Sequence, residues 1–314
     1  MTGRAEHPGL LAHLVAAACE TQDCPDVGHW WPRHRALAKA WAAPIDLAIA
    51  AGFSADRIAW AFASGYQAAL RALLPDLPPD LVAAFCVTEA EGNRPKDIRT
   101  TLERDGEDGW RLSGAKRWTT LGPSGGLFLV AARDASVSGE RPALRMVRVA
   151  SDAPGVTVDT MPPTRFVPEV PHASLRFEGV ALAPSALLPG DGYARYVKPF
   201  RTVEDIHVFA AKLAYTLREA RRLGWPQGWI EGALAVLASM RALAAEPADA
   251  PATHVALAGA LTQGAALFRD ADGHWQGASD ADARARWARD RELGGVAGKA
   301  RALRTQRAWE TLRG

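Results

Sequence analysis

Three groups of residues in this chain are of types that do chemistry, and a fourth has the chemistry of a binding edge. Cys19, Cys24, His29 and His34 recur every five residues, and thiol and imidazole are zinc ligands. Zinc modules usually set a longer loop between the cysteine and histidine pairs, and Pro25 and Pro32 are expected to break any shared helical face. A packed helical connection is therefore the preferred reading, and no metal site is assigned. Gly122-Pro123-Ser124-Gly125-Gly126 matches G-x-S-x-G, the spacing of a serine nucleophile on a strand-to-helix elbow. Here a proline sits in the motif and an apolar strand follows it, so a glycine-rich β-turn is expected instead. The C-terminal segment carries Arg284, Arg286, Arg289, Arg291, Lys299, Arg301, Arg304, Arg307 and Arg313, interleaved with Asp282, Asp290, Glu292 and Glu310. Such a run reads as a solvated, ion-paired helix face, with an anion site for a phosphate-bearing cofactor or ligand as the alternative.

The fourth group lies in Ala84 to Gly122. An apolar run ends in Thr88-Glu89, a glycine- and proline-marked turn follows, and two short strands meet through Gly106, Glu107, Asp108 and Gly109. The stretch closes on Lys116-Arg117-Trp118-Thr119-Thr120, which sets a tryptophan and hydroxyls at the edge of a turn.

The elements that position these residues follow from hydrophobic spacing. Leu10–Glu20, Arg33–Ala51 and Ala55–Leu74 are predicted helices, the last with Ser54-Ala55-Asp56 as its cap. The prolines of Leu74–Asp80 end that region. Strands are predicted at 127–132, 143–150, 156–158, 173–177 and 180–184, without crossover helices, which indicates a barrel or sandwich rather than a doubly wound sheet. From residue 202 on the pattern is helical again, with helices at 203–222, 227–245, 253–269 and 280–313, the last interrupted by Gly294-Gly295. The fold class expected is α+β: an N-terminal helical domain (1–80), a central β-barrel or sandwich domain (81–200) and a C-terminal four-helix bundle (201–314).

Composition excludes several function classes. With 314 residues, 48% of them hydrophobic and 23% charged, the chain is of globular type. A net charge of +2 excludes a globally basic nucleic-acid binder. Three cysteines make no disulfide framework, no apolar run is long enough to cross a bilayer, and the N-terminus lacks a basic n-region and cleavage site. A cytoplasmic location is expected, with neither nucleic acid nor membrane as partner. No G-x-G-x-x-G or P-loop pattern occurs.

Several of these segments together resemble the acyl-CoA dehydrogenase family. Phe85-Cys86-Val87-Thr88-Glu89 resembles the family's aromatic-Cys-Val-Thr-Glu run. Leu112-Ser113-Gly114-Ala115-Lys116-Arg117-Trp118-Thr119-Thr120 resembles its L-N-G-x-K-x-W-I-T segment. The stretch 175–184, Leu-Arg-Phe-Glu-Gly-Val-Ala-Leu-Ala-Pro, is similar to the strand closing its β domain, and Leu188-Pro189-Gly190-Asp191-Gly192 to the exit from it. Arg289-Asp290 stands where the family has Arg-Asp in its last helix. The resemblance is specific from about residue 84 to 192 and diffuse elsewhere.

The resemblance implies non-covalent FAD, with Phe85, Val87, Thr88, Gly92, Asn93, Trp118 and Thr120 at the cofactor. Hydroxyls or amides at a flavin's polar edge favour the negative charge that develops on reduction, and a tryptophan shields the ring. The implied reaction takes an α-proton from an acyl thioester, with β-hydride transfer to flavin. Acyl-CoA or another acyl thioester is then the substrate and electron-transfer flavoprotein the acceptor, and the chain is expected to form a homo-oligomer or to pair with a full-length relative. The departures are specific. The family's Gly-Ser-Asp step reads Ala90-Glu91-Gly92-Asn93-Arg94-Pro95-Lys96-Asp97 here, so Gly92 and Asn93 take over part of the phosphate-holding role, with Arg94 or Lys96 as phosphate partners. The family's Arg-Phe-Gly flavin segment is not recognisable, and both helical regions are abbreviated. The loop that usually carries the catalytic glutamate falls on Val296-Ala297-Gly298-Lys299, which has no carboxylate. Some members place the base at the start of the first C-terminal helix, where this chain has Glu204 and Asp205. Asp205 is nearer the alternative position, and a helix-capping acid is the competing role for it. The expectation is an FAD-dependent oxidoreductase on CH–CH groups. The rivals are a non-catalytic, degenerate relative acting as a binding or partner subunit, and a flavin-dependent oxygenase on the same fold.

Overall fold

The computed structural model describes residues 9–106, 109–139, 142–295 and 297–314, so Glu107, Asp108 and Val296, named above, lie outside the described residues. The chain divides into two compact units: one holds Leu73–Thr164 and Pro168–Arg201, the other the residues through Ala72, Arg165–Val167 and those from Thr202 on.

The first unit is built on one mixed sheet. Its strands are β1 (Ala83–Cys86), β2 (Thr101–Asp105), β3 (Gly109–Thr120), β4 (Leu127–Asp134), β5 (Leu144–Ala150), β6 (Val156–Thr160) and β7 (His172–Leu182). They run in the order β1-β4-β2-β3-β7-β6, with β5 beside β4. β4 is parallel to β1 and β2, and the other pairings are antiparallel. The expected barrel or sandwich is thus a single curled sheet of seven strands. Its buried face carries Trp110, Leu112, Phe128, Val130, Val147, Leu175 and Phe177. The two strands expected at 173–177 and 180–184 are one strand, β7. Inward residues run 173, 175, 177 and then 180, 182, a step of three that strict alternation forbids. Gly179, at φ +59°, absorbs the extra residue as a bulge and keeps the apolar face turned inward. The Gly122–Ser124 segment forms a 3₁₀ turn leading into β4, the turn expected of it.

The second unit is helical: α1 (Leu10–Ala16), α2 (Val27–Ala40), α3 (Pro44–Ser54) and α4 (Ile58–Leu73), then α5 (Lys198–Arg222), α6 (Gln227–Leu243), α7 (Pro251–Gln276), α8 (Ala281–Asp290) and α9 (Gly298–Arg313). Several boundaries differ from the sequence reading. The helix expected over Arg33–Ala51 is two, because Trp41 and the Pro44 start interrupt it. Pro32 lies inside α2, at its sixth residue, rather than ending it, and the helix continues without the one backbone hydrogen bond that its ring removes. The interruption expected at Gly294-Gly295 in the fourth C-terminal helix is a 3₁₀ segment over Arg291–Gly295, which separates α8 from α9.

Alanine and glycine set how closely these helices approach. A Cβ on Gly52 of α3 would lie 2.1 Å from the carbonyl oxygen of Ala211 in α5, so backbone meets backbone there and Ala48, Ala68 and Ala211 pack together. Indoles fill the wider spaces. Trp30 stacks on Trp60 at 5.6 Å, and Trp275 on Trp287 at 5.6 Å. Buried indole nitrogens find acceptors, Trp60 donating to the Cys24 carbonyl at 2.6 Å and Trp287 to Asp272 at 2.7 Å. The cysteine–histidine series is dispersed among other duties: Cys24 is buried, His29 pairs with Asp26 at 2.7 Å, and His34 packs on Trp30 and Trp31.

Candidate functional site

The two motif segments of the sheet unit are joined by a buried ion pair. Lys116 Nζ lies 2.6 Å from Glu89 Oε1, with the lysine side chain fully withdrawn from solvent. Glu89 also accepts from the backbone N–H of Arg99 (2.7 Å) and Thr100 (3.1 Å) and from the Thr100 hydroxyl (2.8 Å). Burial works to raise the Glu89 carboxyl, but the Lys116 ammonium and these donors outweigh it and hold the group below its ordinary value. Gly114 belongs to the same construction: at φ +140°, it has Thr100 Cα 2.6 Å from where a Cβ would stand. Only glycine lets β3 pass Thr100 this closely.

Beyond Lys116 the strand breaks its alternation. Lys116 pairs with Leu175 and Thr119 with Ala173, so β3 carries one extra residue there. Trp118, at φ +57°, takes up that residue. The result is that Lys116 and Thr119 both point inward while Trp118 stays 51% exposed. Thr120 shares the outer side with Trp118 and is half-buried. Its hydroxyl lies 3.4 Å from His172 Nε2, and the His172 ring meets Trp118 edge-on with centroids 6.2 Å apart. Burial keeps the His172 imidazole below its ordinary pKa, against a small opposing effect of the Val170 backbone. The Thr88 carbonyl accepts the Arg117 N–H at 2.8 Å, which brings the end of the first motif to the bulge of the second. Thr88, Trp118 and Thr120 therefore share one edge of the sheet.

The remaining expected cofactor residues are spread along β1 and the turn after it. Phe85 is half-buried with its ring 4.4 Å from that of Phe200, and Val87 is buried. Glu89 and Gly92 exchange backbone hydrogen bonds in a tight turn. A Cβ on Gly92, at φ +141°, would lie 2.6 Å from Asp97 Oδ2, and that same oxygen accepts from the Arg94 N–H at 3.1 Å. Gly92 is thus fixed by the fold of the turn, while Asn93, Arg94 and Lys96 are exposed.

Glu204 and Asp205 stand in the helical unit. The helix expected to begin just before them starts at Lys198, so both lie in its second turn and the helix-terminus argument does not apply. Asp205 is buried, and its carboxylate meets two guanidiniums: Arg301 Nε and Nη2 donate to Oδ1 at 2.9 and 2.7 Å, and Arg304 Nη2 to Oδ2 at 2.7 Å. Glu204, one position on around the helix, is half-buried. His207, two residues beyond Asp205, donates from Nδ1 to the Val203 carbonyl at 2.8 Å, and burial pushes its imidazole down to about 4. The Arg-Asp pair of the last helices also turns inward, Asp290 accepting from Arg289 (2.6 and 2.8 Å) and from the Val167 N–H at 2.8 Å.

Sequence reasoning did not single out Lys116, Thr100 or His172 as parts of the site. Lys116 had a signal, since a lysine inside an otherwise alternating strand must be paired if it is buried. His172 had none, because its meeting with Thr120 depends on the register of β3 against β7.

Comparison with known proteins adds a family to this geometry. Residues 84–180 match the model of the acyl-CoA dehydrogenase middle domain. Benzylmalonyl-CoA dehydrogenase of Aromatoleum aromaticum is 30% identical over 155 residues, 48% of this chain and 39% of that protein. The 3-sulfinopropanoyl-CoA desulfinase of Paraburkholderia xenovorans is 34% identical over 96 residues, 30% of this chain and 24% of that protein. The chain thus spans well under half the length of these curated relatives in the matched regions. Glutaryl-CoA dehydrogenase from Mycobacterium smegmatis has the same fold, with a TM-score of 0.66 and 16% identity over 96% of this chain and 92% of that one. A structure of the M. smegmatis glutaryl-CoA dehydrogenase in complex with FADH2 superposes with a TM-score of 0.61 at 16% identity, again over 96% and 92% of the two chains. Residues 84–180, which hold the Glu89–Lys116 junction and the Trp118 edge, thus match the acyl-CoA dehydrogenase middle domain, in a chain whose fold is that of glutaryl-CoA dehydrogenase.

Proposed function

We propose that the protein binds FAD at the Trp118 edge and oxidises an acyl thioester. The observation that carries this reading is the bulge in β3, which holds Trp118 half-exposed in a left-handed conformation beside the hydroxyl of Thr120 and the end of the Thr88 segment. Residues in left-handed backbone conformations cluster at ligand sites, and a flavin laid on this indole would cover its exposed face. The residues fit a flavin at this edge. The indole offers a flat apolar surface, Thr88 and Thr120 offer hydroxyls for the polar rim, and the Glu89–Lys116 pair underneath fixes the backbone that carries them. For the phosphates, Asn93, Arg94 and Lys96 supply exposed donors around the Gly92 turn. When bound, FAD supplies the hydride acceptor for the β-carbon of the substrate.

The proton acceptor is assigned to Glu204 in preference to Asp205. Both carboxylate oxygens of Asp205 are taken up by the Arg301 and Arg304 guanidiniums, whereas a general base must be free to meet the substrate proton. Asp205 serves instead to orient Arg301 and Arg304. Acyl-CoA thioesters are the substrate class in this reading, electron-transfer flavoprotein the acceptor, and a homo-oligomer or a pairing with a longer relative the assembly.

The visible spectrum of the purified protein tests the reading directly. Bound flavin absorbs near the usual yellow bands, acyl-CoA thioesters bleach them anaerobically, and Glu204→Gln abolishes the bleaching while keeping the colour. A protein that stays colourless with added FAD overturns the proposal. One observation favours a second reading, a non-catalytic binding subunit: Gly298 and its neighbours supply no carboxylate where the family resemblance puts the catalytic glutamate. A yellow protein that no thioester bleaches would overturn thioester oxidation.

A further inference from the structure

His172 stands at the Trp118 edge and takes no part in the function proposed above. In the register of β3 against β7 it lies directly opposite Thr120, so the two side chains share the outer side of the sheet. Its Nε2 is 3.4 Å from the Thr120 hydroxyl oxygen, and its ring meets the Trp118 indole edge-on. The backbone around this pair is held from both sides. Leu121 donates its N–H to the Pro171 carbonyl at 2.8 Å, and Met161 donates to the His172 carbonyl at 2.8 Å. Trp118, at φ +57°, and Leu121, at φ +60°, stand on either side of Thr119-Thr120, and neither is a glycine. These two turns of the backbone set the direction of the side chains between them. Thr119 is buried, and Thr120 faces outward beside the indole.

The hydrogen bonds of the imidazole decide which way the Thr120 hydroxyl proton points. A neutral imidazole has one N–H that donates and one bare nitrogen that accepts. Burial holds His172 below its ordinary pKa, so the ring is neutral at pH 7. The influence that opposes burial is a hydrogen bond with the Val170 backbone, and it raises the pKa. A backbone group acts in that sense when its carbonyl accepts from a ring N–H. Nε2 faces Thr120, so the N–H that Val170 receives is on Nδ1, and Nε2 is the bare nitrogen. Thr120 then donates its hydroxyl proton to Nε2. With that proton turned toward the histidine, the Thr120 oxygen has only lone pairs left for a ligand.

We propose that His172 is a positioning residue: it takes the Thr120 hydroxyl proton on Nε2 and so makes the Thr120 oxygen an acceptor at the ligand edge, one that favours reduced FAD over oxidised FAD. This inference rests on the flavin reading above. Hydride acceptance adds an N–H to a flavin ring, and an acceptor held at the polar edge stabilises the form that carries it. A donor at the same place would favour a bare ring nitrogen or a negative charge instead, which is the part that the family resemblance implies for Thr120. His172 acts through Thr120 and reverses that part.

Titration of the purified protein with oxidised FAD, and anaerobically with dithionite-reduced FAD, tests it through the ratio of the two dissociation constants. His172→Phe keeps an aromatic ring against Trp118 and removes the acceptor nitrogen. It is expected to lower the ratio of oxidised to reduced Kd about fivefold, the scale of one hydrogen bond. Thr120→Val lowers the ratio to a similar extent, and it carries the same test where His172→Phe does not fold. The double variant goes no lower than the single ones, because both remove one shared interaction. A merely structural part for His172 would weaken both forms alike and leave the ratio where it was. An unchanged ratio in the single variants, or additive effects in the double variant, overturns the proposal. Nitrogen NMR of the FAD-free protein at pH 7 reads the tautomer directly: the proton is expected on Nδ1 of His172, and a proton on Nε2 overturns the proposal. If neither form of FAD binds, the flavin reading falls and this inference with it. If FAD binds and the ratio is the same in the parent and in His172→Phe, the flavin reading stands and this inference alone falls.

Discussion

Lys116 Nζ and Glu89 Oε1 lie 2.6 Å apart in the interior of the sheet unit, and this one contact joins the two sequence segments that the family resemblance rests on. The Thr-Glu segment and the Lys-x-Trp segment are therefore not independent signatures. The glutamate anchors the start of β2 through Arg99 and Thr100, and the lysine anchors β3 just before its bulge. Lys116→Met leaves Glu89 buried and without its counter-ion. Urea unfolding is expected to show a loss of about 3–5 kcal/mol. The double variant with Glu89→Gln recovers part of that loss. An additive double variant would show that the pair is not coupled as the geometry requires.

Trp118→Ala separates binding from stability. The indole is 51% exposed, so its removal should change the unfolding free energy by less than about 1 kcal/mol. If the indole covers a flavin, the same change weakens FAD retention by roughly tenfold, the scale of a lost aromatic contact. Equilibrium dialysis against FAD, beside a urea titration, measures both. A large stability loss with unchanged FAD binding would make the role of Trp118 structural.

His207 and His34 predict how the helical unit responds to acid. Burial holds His207 down to about 4 and His34 down to about 3, against an ordinary value of 6.5. The unfolded chain takes up protons at these imidazoles as pH falls through 6.5, while the folded chain does so only near 4 and below. Stability is therefore fully present above about 6.5 and declines as pH falls toward 4. His207 alone is expected to account for on the order of 3 kcal/mol across that window. Unfolding free energies at pH 7 and pH 4.5 should differ less in His207→Gln than in the parent, since glutamine does not titrate and still reaches the Val203 carbonyl. Parallel pH dependences would remove His207 from this account.

Asp205→Asn and Glu204→Gln should fail in different ways. Asp205 is the shared acceptor of two inward-facing guanidiniums, and its neutralisation removes the carboxylate charge that both of them meet. A stability loss of about 3 kcal/mol or more is expected, seen as a lower melting temperature. Glu204→Gln should leave the melting temperature close to the parent and act on turnover. Reversal of the two phenotypes would exchange their roles.

Much of the β region was determined by the sequence alone, because the information there is local. Alternation of apolar residues places β4, β5, β6 and β7, and glycine with proline places the turn at 122–124, each depending on neighbours within a few positions. The helical segments were also readable, but their ends were not. Trp41 and Pro44 split one expected helix, since capping and packing decide ends that periodicity leaves open, whereas the glycine pair already marked the break between α8 and α9. The edge of Thr88, Trp118 and Thr120 followed from motif order, yet the reason Trp118 faces outward did not. That depends on a single extra residue in β3 relative to β7, and register is a property of two strands distant in sequence. The charges show the same division. Composition gave an almost balanced chain and a basic last helix, but only the packing of α9 against α5 decided which arginines meet Asp205. Local patterns fix what each segment can be; which side chains share a space out of water is fixed only when segments far apart in the chain are brought together.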